Sequence, residues 1–243
     1  MSRPHPAARP HGELTEVLPD IFFVTGSVNL GPLGFSRAMT VVREGDRLVL
    51  FNSVRLNEEG LAQLDALGKV TDVVKLAGAH GMDDPFYKER YGATVHGLKG
   101  QTWFTGPDVK KGTVYFEPDN ELEPGGPMPL EGADVVIIDG QPPEGFMRLD
   151  RHGGTIISGD ALQNWETTDP FFSFVGKLGM RALGFIRPAA LGAGWLKFVK
   201  PPKDQVRGIL DLEFANVFPC HGTPVIGGAS GKYRPAIEKY AGA

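Results

Sequence analysis

A continuous apolar run leads straight into a polar loop at residues 70–85, which read VTDVVKLAGAHGMDDP. The run from Val70 to Ala77 is rich in β-branched residues, which predicts a strand that is buried on both faces. His80, Asp83 and Asp84 follow directly after it. Polar side chains at the end of a buried strand predict a functional site at this position.

Two later segments end in the same way. The strand-like run Gly154–Ser158 leads to Asp160, and the run Asn216–Pro219 leads to His221. Because each polar residue follows a predicted strand, all three junctions can converge at one sheet edge. Imidazole nitrogen and carboxylate oxygen together suit a divalent transition metal. The convergence of three junctions, and not any single motif, predicts a metal site.

The rest of the chain alternates strand-like runs with short helices. Turn residues separate the runs at 13–18, 21–28, 38–43 and 47–53, which predicts an antiparallel meander, and further strands are predicted at 133–139 and 145–150. Helices are predicted at 57–68, with Asn57 as N-cap, and at 85–91, 202–214 and 230–240. Residues 110–112 suit a hairpin.

The order of these motifs resembles the metallo-β-lactamase superfamily across residues 14–240. In that family an H-x-H-x-D-H loop follows a buried strand, a Gly-Asp pair supplies a bridging carboxylate, and a final histidine stands in a Pro-x-His-Gly loop. Here His80 matches the first histidine of the loop and Asp84 its aspartate, while Asp160 and His221 match the other two. The resemblance implies an α+β fold, a four-layer αββα sandwich.

A flexible N-terminal arm is predicted for residues 1–12, where prolines flank histidine and alanine without an apolar period. The remainder, residues 13–243, is predicted to form a single metallo-β-lactamase-like domain.

Several ligand positions of that family hold other residues in this chain. Met82 stands at the second histidine of the loop, Pro85 at the third, and Gln141 at the mid-chain histidine. Asn52 stands where many relatives carry an aspartate that orients a ligand. A full dinuclear zinc site is therefore not expected.

The resemblance implies that one metal position keeps only His80 and the bridging Asp160, while the other keeps Asp84, Asp160 and His221. These four residues can still hold one divalent ion, zinc or alternatively manganese or iron, with water completing the coordination. Asp83 or Asp84 can act as the catalytic base instead of a ligand.

The candidate residues also have structural interpretations. His80 can cap a turn or pair with Asp84, and Asp160 can accept hydrogen bonds from turn amides. Asp83 and Asp84, followed by Pro85, form a good helix N-cap, with Asp83 the better cap.

Two functions fit this sequence. The first is a metal-dependent hydrolase of a small, partly apolar ester, amide or lactone. The alternative is a metal-free, catalytically silent small-molecule-binding or scaffold protein on the same fold, since lost donors have no consequence once no ion is held. The presence of His80, Asp160 and His221 at matching positions favours the first.

Net charge and cysteine content narrow the choice of partner and compartment. A formal net charge of −4 gives no electrostatic reason to expect nucleic acid or a membrane surface, so a small-molecule substrate is predicted. Cys220 is the single cysteine, which excludes an intramolecular disulfide, and the N-terminus lacks the apolar core of a secretory signal. Both observations predict a cytoplasmic protein. Cys220 itself is interpreted as a small buried apolar residue, because neighbours on a strand point to opposite faces.

The most apolar segment, Phe171–Val199, is interrupted by Lys177, Arg181 and Arg187, so it does not predict a membrane-spanning helix. It predicts helices that pack over the sandwich. A wall of an apolar pocket, a lid and the face of a homodimer are alternatives.

Overall fold

The computed structural model describes residues 5–104, 106 and 113–242. The first four residues of the predicted arm and the predicted hairpin at 110–112 lie outside these residues. In the part of the chain that is described, seven strands form one sheet in sequence order. They are β1 Thr15–Leu18, β2 Ile21–Leu30, β3 Leu33–Glu44, β4 Arg47–Phe51, β5 Lys69–Lys75, β6 Thr94–Leu98 and β7 Asn120–Leu122.

The next strands are β8 Ala133–Ile138, β9 Glu144–Leu149, β10 Thr155–Ser158, β11 Leu162–Gln163, β12 Ala190–Leu191 and β13 Asn216–Pro219. Four of them form a second sheet in the order β13-β10-β9-β8, while β11 and β12 pair as a short ribbon.

The described helices are short. They are α1 Glu58–Leu67, α2 Asp84–Tyr91, α3 Phe174–Ala182, α4 Ala193–Phe198, α5 Lys203–Gly208 and α6 Ala229–Ala241. Asn57 caps α1 as predicted, since its Oδ1 accepts a hydrogen bond from the Gly60 amide at 2.9 Å. None of the helices among the described residues has the length and apolar character needed to cross a bilayer.

Successive side chains of a strand point to opposite faces of its sheet and so pack against different layers. In β4, Leu48 and Leu50 pack against the layer of α1 and α2, while Val49 and Phe51 face the second sheet. On the far side of the second sheet, α5 and α6 cover a third apolar cluster that includes Ile156. Two sheets between two helical layers form a four-layer αββα sandwich of the α+β class, which confirms the predicted architecture.

The direction of strand pairing differs between the two halves of the large sheet. Strands β1 to β4 pair antiparallel, which confirms the predicted meander, whereas β4 to β7 pair parallel. Helices α1 and α2 supply the crossovers that β5 and β6 require. Because β4, β5 and β6 run in the same direction, their C-terminal ends lie at one end of the large sheet. The loop that carries His80 begins there, directly after β5.

The C-terminal part of the predicted arm pairs with β2. The Gly12 amide donates to the Thr25 carbonyl at 2.8 Å, and the Ser27 amide donates to the Pro10 carbonyl at 2.9 Å. These bonds order residues 10–12 against the sheet, which differs from the flexible arm that was expected there. The domain boundary at residue 12 stays a prediction.

Asn52 joins the two sheets immediately after β4. Its Oδ1 accepts hydrogen bonds from the amides of Leu76 and Ala77 at 3.0 and 3.1 Å, and its Nδ2 donates to the Ser158 carbonyl at 3.1 Å. The backbone φ of 53° lies in the left-handed region, which asparagine tolerates better than most residues. Asn52 thus fastens the end of β5 to the end of β10.

We expect Asn52→Ala to lower the free energy of unfolding by about 3 kcal/mol, because it removes three buried hydrogen bonds and places alanine at a positive φ. Urea denaturation measures the change. The matched control is Asn57→Ala, which removes a single, partly buried cap bond and should lose only about 1 kcal/mol. Equal losses in the two variants would contradict the sheet-joining role of Asn52.

Candidate metal centre

Three strand ends meet at one end of the sandwich. Strands β10 and β13 are parallel neighbours with Ser158 opposite Pro219, so Asp160 and His221 each lie two residues beyond a paired strand end. His80 comes from the loop after β5 in the other sheet. The structure therefore brings together the three junctions, although they converge across two sheets and not along one sheet edge.

The side chains of these junctions lie within contact distance. His221 Nε2 is 3.2 Å from His80 Nε2 and 3.2 Å from Asp160 Oδ1. His80 Nε2 is 3.9 Å from the same carboxylate oxygen, and Cys220 Sγ is 3.6 Å from it. One ligand atom from each of these four residues lies within 4.8 Å of all the others. We refer to His80, Asp160, Cys220 and His221 as the donor cluster.

Cys220 is buried, as its sequence context predicted, and its thiol also belongs to the donor cluster. Strand β13 ends at Pro219, so the rule that neighbours point to opposite faces does not hold for Cys220 and His221. Gly222, with a φ of 92°, follows directly and allows the chain to turn. The strand was predicted to end at Pro219, and applying the alternation rule beyond that residue concealed the thiol as a possible donor.

A backbone carbonyl fixes the orientation of the His221 ring. Its Nδ1 lies 2.8 Å from the Ser36 carbonyl oxygen, and because a carbonyl only accepts, Nδ1 carries the proton. The other nitrogen, Nε2, therefore faces the donor cluster. The rings of Trp165 and Phe35 flank the imidazole, with centroids 4.9 and 5.9 Å away.

Glu144 of β9 holds the two loops of the site together. Its carboxylate accepts hydrogen bonds from the amides of Gly78 at 2.9 Å and Asp160 at 2.6 Å. A Cβ at Gly159 would lie 1.9 Å from Glu144 Oε1 and 2.8 Å from the backbone of Ala77, so only glycine fits there. Burial, together with the charge of Asp160, raises the pKa of Glu144 well above its usual value.

The protonation of the donor cluster suits a cation. Burial lowers the pKa of His80 to about 3, so its ring is neutral near pH 7. Burial by itself would raise the pKa of Asp160, but the hydrogen bond with His221 and the positive charge of a protonated imidazole outweigh it and lower that pKa. Burial raises the pKa of the Cys220 thiol well above its usual value. A cation in the cluster would take the place of the proton between His221 and Asp160, and it would have to displace the thiol proton as well.

Asp84 lies outside the donor cluster. Its Oδ1 accepts a hydrogen bond from Ser53 Oγ at 2.6 Å, and its Oδ2 accepts one from the indole of Trp103, also at 2.6 Å. Both oxygens are thus engaged within a fully buried side chain. The structure does not bring Asp84 to the ligands with which the sequence grouped it.

Asp83 occupies the N-cap position of α2, but its side chain makes no cap hydrogen bond. The carboxylate instead forms a buried ion pair with Arg37 and accepts a hydrogen bond from the Arg55 amide at 2.8 Å. Asp83 is thus the N-cap residue by position, as predicted, but its side chain does not cap the helix, because its backbone is helical (φ −99°, ψ −9°) and not extended as in a capping residue.

Three separations within the donor cluster suit one tetrahedral ion. Two donors at about 2.0 Å from a tetrahedral zinc ion lie roughly 3.3 Å apart, and a sulfur donor lies slightly farther from its neighbours. The separations of His221 from His80 and Asp160, both 3.2 Å, match this value, as does the 3.6 Å between Cys220 and Asp160. The 3.9 Å between His80 and Asp160 is the widest of these edges. Two nitrogens, one oxygen and one sulfur are a donor set that zinc accepts.

Comparison with known proteins gives the class of the fold. No protein-family model matches the chain, and no curated protein sequence matches it significantly. Among solved structures, a metallo-β-lactamase from Hirschia baltica has a TM-score of 0.60 at 16% identity, covering 94% of this chain and 95% of the other.

A second similar structure is the metallo-β-lactamase FIM-1 from Pseudomonas aeruginosa in its mono-zinc form. It has a TM-score of 0.61 at 16% identity and covers 97% of this chain and 98% of its own. A metallo-β-lactamase from Erythrobacter litoralis gives 0.57 at 12% identity, with 96% and 94% covered. The chain has the metallo-β-lactamase fold, as the sequence motifs implied.

A buried lysine beside Asp84 offers a test of the electrostatics near the site. Lys75 is fully buried, donates to the Thr102 carbonyl at 2.8 Å and lies 4.4 Å from the ring centroid of Trp103. Burial lowers the pKa of Lys75 to about 8 from a usual 10.5. Between these two values the unfolded chain binds more protons than the folded chain, so stability rises with pH.

We expect the wild-type protein to gain about 2 kcal/mol of unfolding free energy relative to Lys75→Met as the pH rises from about 8 to about 10. Urea denaturation of both proteins at several pH values measures the difference. Lys69→Met is the control, since Lys69 is exposed and its removal should leave the pH dependence unchanged. Parallel curves for wild type and Lys75→Met would show that Lys75 titrates normally.

Proposed function

We propose that the chain is a metal-dependent hydrolase that holds one divalent ion, zinc in the first place, through His80, Asp160 and His221 with Cys220 as fourth donor. The observation that supports this most strongly is the convergence of four donor atoms within 4.8 Å of one another, with three of their separations between 3.2 and 3.6 Å. The proposal replaces the predicted ligand Asp84 with Cys220. A thiolate donor also favours zinc over the predicted alternatives manganese and iron.

The residues of this chain prepare the site in three ways. The Ser36 carbonyl keeps Nε2 of His221 directed at the donor cluster. Glu144 fixes the backbone on which Asp160 stands, and burial keeps His80 neutral. When bound, a divalent ion would supply a nucleophilic hydroxide near neutral pH and polarise the bond under attack. Because four protein donors close a tetrahedral site, this chemistry requires water as an additional ligand or the release of one donor.

The proposed substrate is a small, partly apolar ester, amide or lactone. Phe35 supports an apolar part of the substrate, since it is partly exposed and its ring centroid lies 5.9 Å from that of His221. Trp165 and Phe172 are buried behind it and hold it in place. Asp84 is disfavoured as the base, because both of its oxygens already accept hydrogen bonds. The cytoplasmic location stays a prediction.

Elemental analysis of protein purified without chelator or affinity-tag metal is the first test. We expect close to one equivalent of metal in the wild type and none in the Asp160→Ala/His221→Ala double variant. Asp84→Asn is the matched control, which should retain the metal because Asp84 lies outside the donor cluster. Absence of metal from the wild type, even after reconstitution with zinc, manganese and iron, would favour the metal-free binding protein instead.

The role of Cys220 has its own spectroscopic test. Cobalt(II) in place of zinc should give an intense near-ultraviolet band from thiolate-to-cobalt charge transfer. We expect Cys220→Ser to lose that band and to bind metal more weakly, while Asp84→Asn keeps it. A cobalt spectrum that is unchanged in Cys220→Ser would remove the cysteine from the ligand set.

Activity is tested with a panel of chromogenic esters, anilides and lactones on the zinc-loaded protein. We expect kcat/KM for the best substrate to fall roughly a hundredfold or more in Asp160→Ala, since a well-held ion contributes several kcal/mol to transition-state stabilisation. Hydrolysis that persists undiminished in the metal-free double variant would exclude the donor cluster as its source.

A further inference from the structure

One surface of the protein differs in charge from the rest. Residues 170–203 contain six basic residues and no acidic residue, although acidic residues outnumber basic ones by 29 to 25 in the whole chain. Asp169 and Asp204 stand just outside this segment. The basic residues are Lys177, Arg181, Arg187, Lys197, Lys200 and Lys203.

The same segment exposes large apolar side chains. In α3, Phe174 and Leu178 lie one turn apart and are 83% and 66% exposed, whereas the positions turned inward are Gly176 and Met180. The helix therefore directs its larger apolar side chains toward solvent. Phe198, at the end of α4, is 76% exposed.

The tip of the β2–β3 hairpin continues this surface. Leu30 is 69% exposed and is paired with Leu33. A Cβ on Gly179 of α3 would lie 2.9 Å from Leu33, so the hairpin tip lies against the helix. We call the surface formed by Leu30, Phe174, Val175, Leu178, Arg181 and Leu183 the α3 face.

We propose that the α3 face docks on an anionic lipid bilayer surface. Exposed phenylalanine and leucine can enter the boundary between headgroups and acyl chains without any spanning helix. Lysine and arginine on the same segment are attracted by anionic headgroups, each contributing separately to the affinity. Arg181 lies on the α3 face itself, the other basic residues of the segment are close to it in sequence, and the segment contains no acidic residue. Exposed apolar side chains beside positive charge complement such a surface.

A second copy of the chain is the competing occupant, since a homodimer through Phe171–Val199 is predicted from the sequence. A twofold interface places the same patch opposite itself. It would bring two sets of basic side chains together with no acidic partner in the segment. The expectation of no membrane partner rested on the net charge of the whole chain, which is −4. Residues 170–203 carry a positive charge instead, since they contain six basic residues and no acidic residue.

Co-sedimentation with vesicles tests the proposal. We expect the full-length protein to bind vesicles of phosphatidylcholine mixed with an equal part of phosphatidylglycerol, and to bind phosphatidylcholine alone at least tenfold more weakly. Phe174→Ser/Leu178→Ser and, separately, Arg181→Glu/Lys197→Glu should each reduce binding to the anionic vesicles by roughly tenfold or more.

Matched controls carry the same changes elsewhere on the surface. Val114→Ser/Ile226→Ser and Lys69→Glu/Lys239→Glu alter exposed residues outside the segment and should bind like the wild type. Thermal unfolding followed by circular dichroism, together with metal content, checks that all four variants remain folded and that any loss is independent of the donor cluster.

Three outcomes would overturn the proposal. They are no binding to either vesicle, equal binding to both, and equal losses in the matched controls. A fourth such outcome concerns the oligomeric state, which sedimentation equilibrium measures. A wild-type dimer that Phe174→Ser/Leu178→Ser dissociates, with no vesicle binding, would assign the face to a second copy.

Discussion

The site depends on side chains that fasten one sheet to the other. Backbone hydrogen bonds hold each sheet together, but few can cross the roughly 10 Å between stacked sheets. One that does runs from the Ala38 amide of β3 to the Cys220 carbonyl after β13, at 2.7 Å. Asn52, from the large sheet, reaches the end of β10 in the small one. Glu144, from the small sheet, accepts the Gly78 amide in the loop after β5 of the large one. With these two bonds the loops after β5 and β10 have a fixed relative position, and His80 meets Asp160 there.

Buried charge is concentrated around the same end of the sandwich. Asp83 pairs with Arg37, and Asp84 lies near the ammonium group of Lys75 while Ser53 donates to it. Charges in a poorly solvated interior are tolerated only when they are paired or hydrogen-bonded, and removal of one partner is strongly destabilising. The aspartates of the H-x-H-x-D-H-like loop therefore have a structural task. Their presence in the sequence does not require that they bind metal.

Sequence patterns were most informative where chain direction alone determines position. The buried strand before His80 and the strand ends before Asp160 and His221 could be predicted, because parallel strands deliver their C-terminal residues to one end of the molecule. The destination of the Asp84 side chain could not be predicted. It depends on Ser53 and Trp103, which lie 31 and 19 residues away in sequence and approach only in the folded chain.

Averages over the chain were less informative than local geometry. The alternation rule assigned Cys220 to the core, and Cys220 is buried, but its thiol also lies 3.6 Å from the Asp160 carboxylate because β13 ends one residue earlier. Likewise, a net charge of −4 describes the whole chain and not the basic segment 170–203. In both cases a rule that holds for the chain or the strand leaves out the contacts of one short segment.

The α3 face and the donor cluster are mechanically connected through β3. Ser173, which caps α3, exchanges hydrogen bonds with the backbone of Gly34, and two residues later the Ser36 carbonyl holds the ring of His221. Trp165 also donates to Ser36 Oγ at 3.2 Å and meets Phe172, which directly precedes Ser173, edge to face. The contacts of α3 thus end on the segment whose carbonyl orients one of the four donors. A ligand on the α3 face would change the metal affinity of the donor cluster only if it shifted this segment, and any such linkage would act equally in both directions.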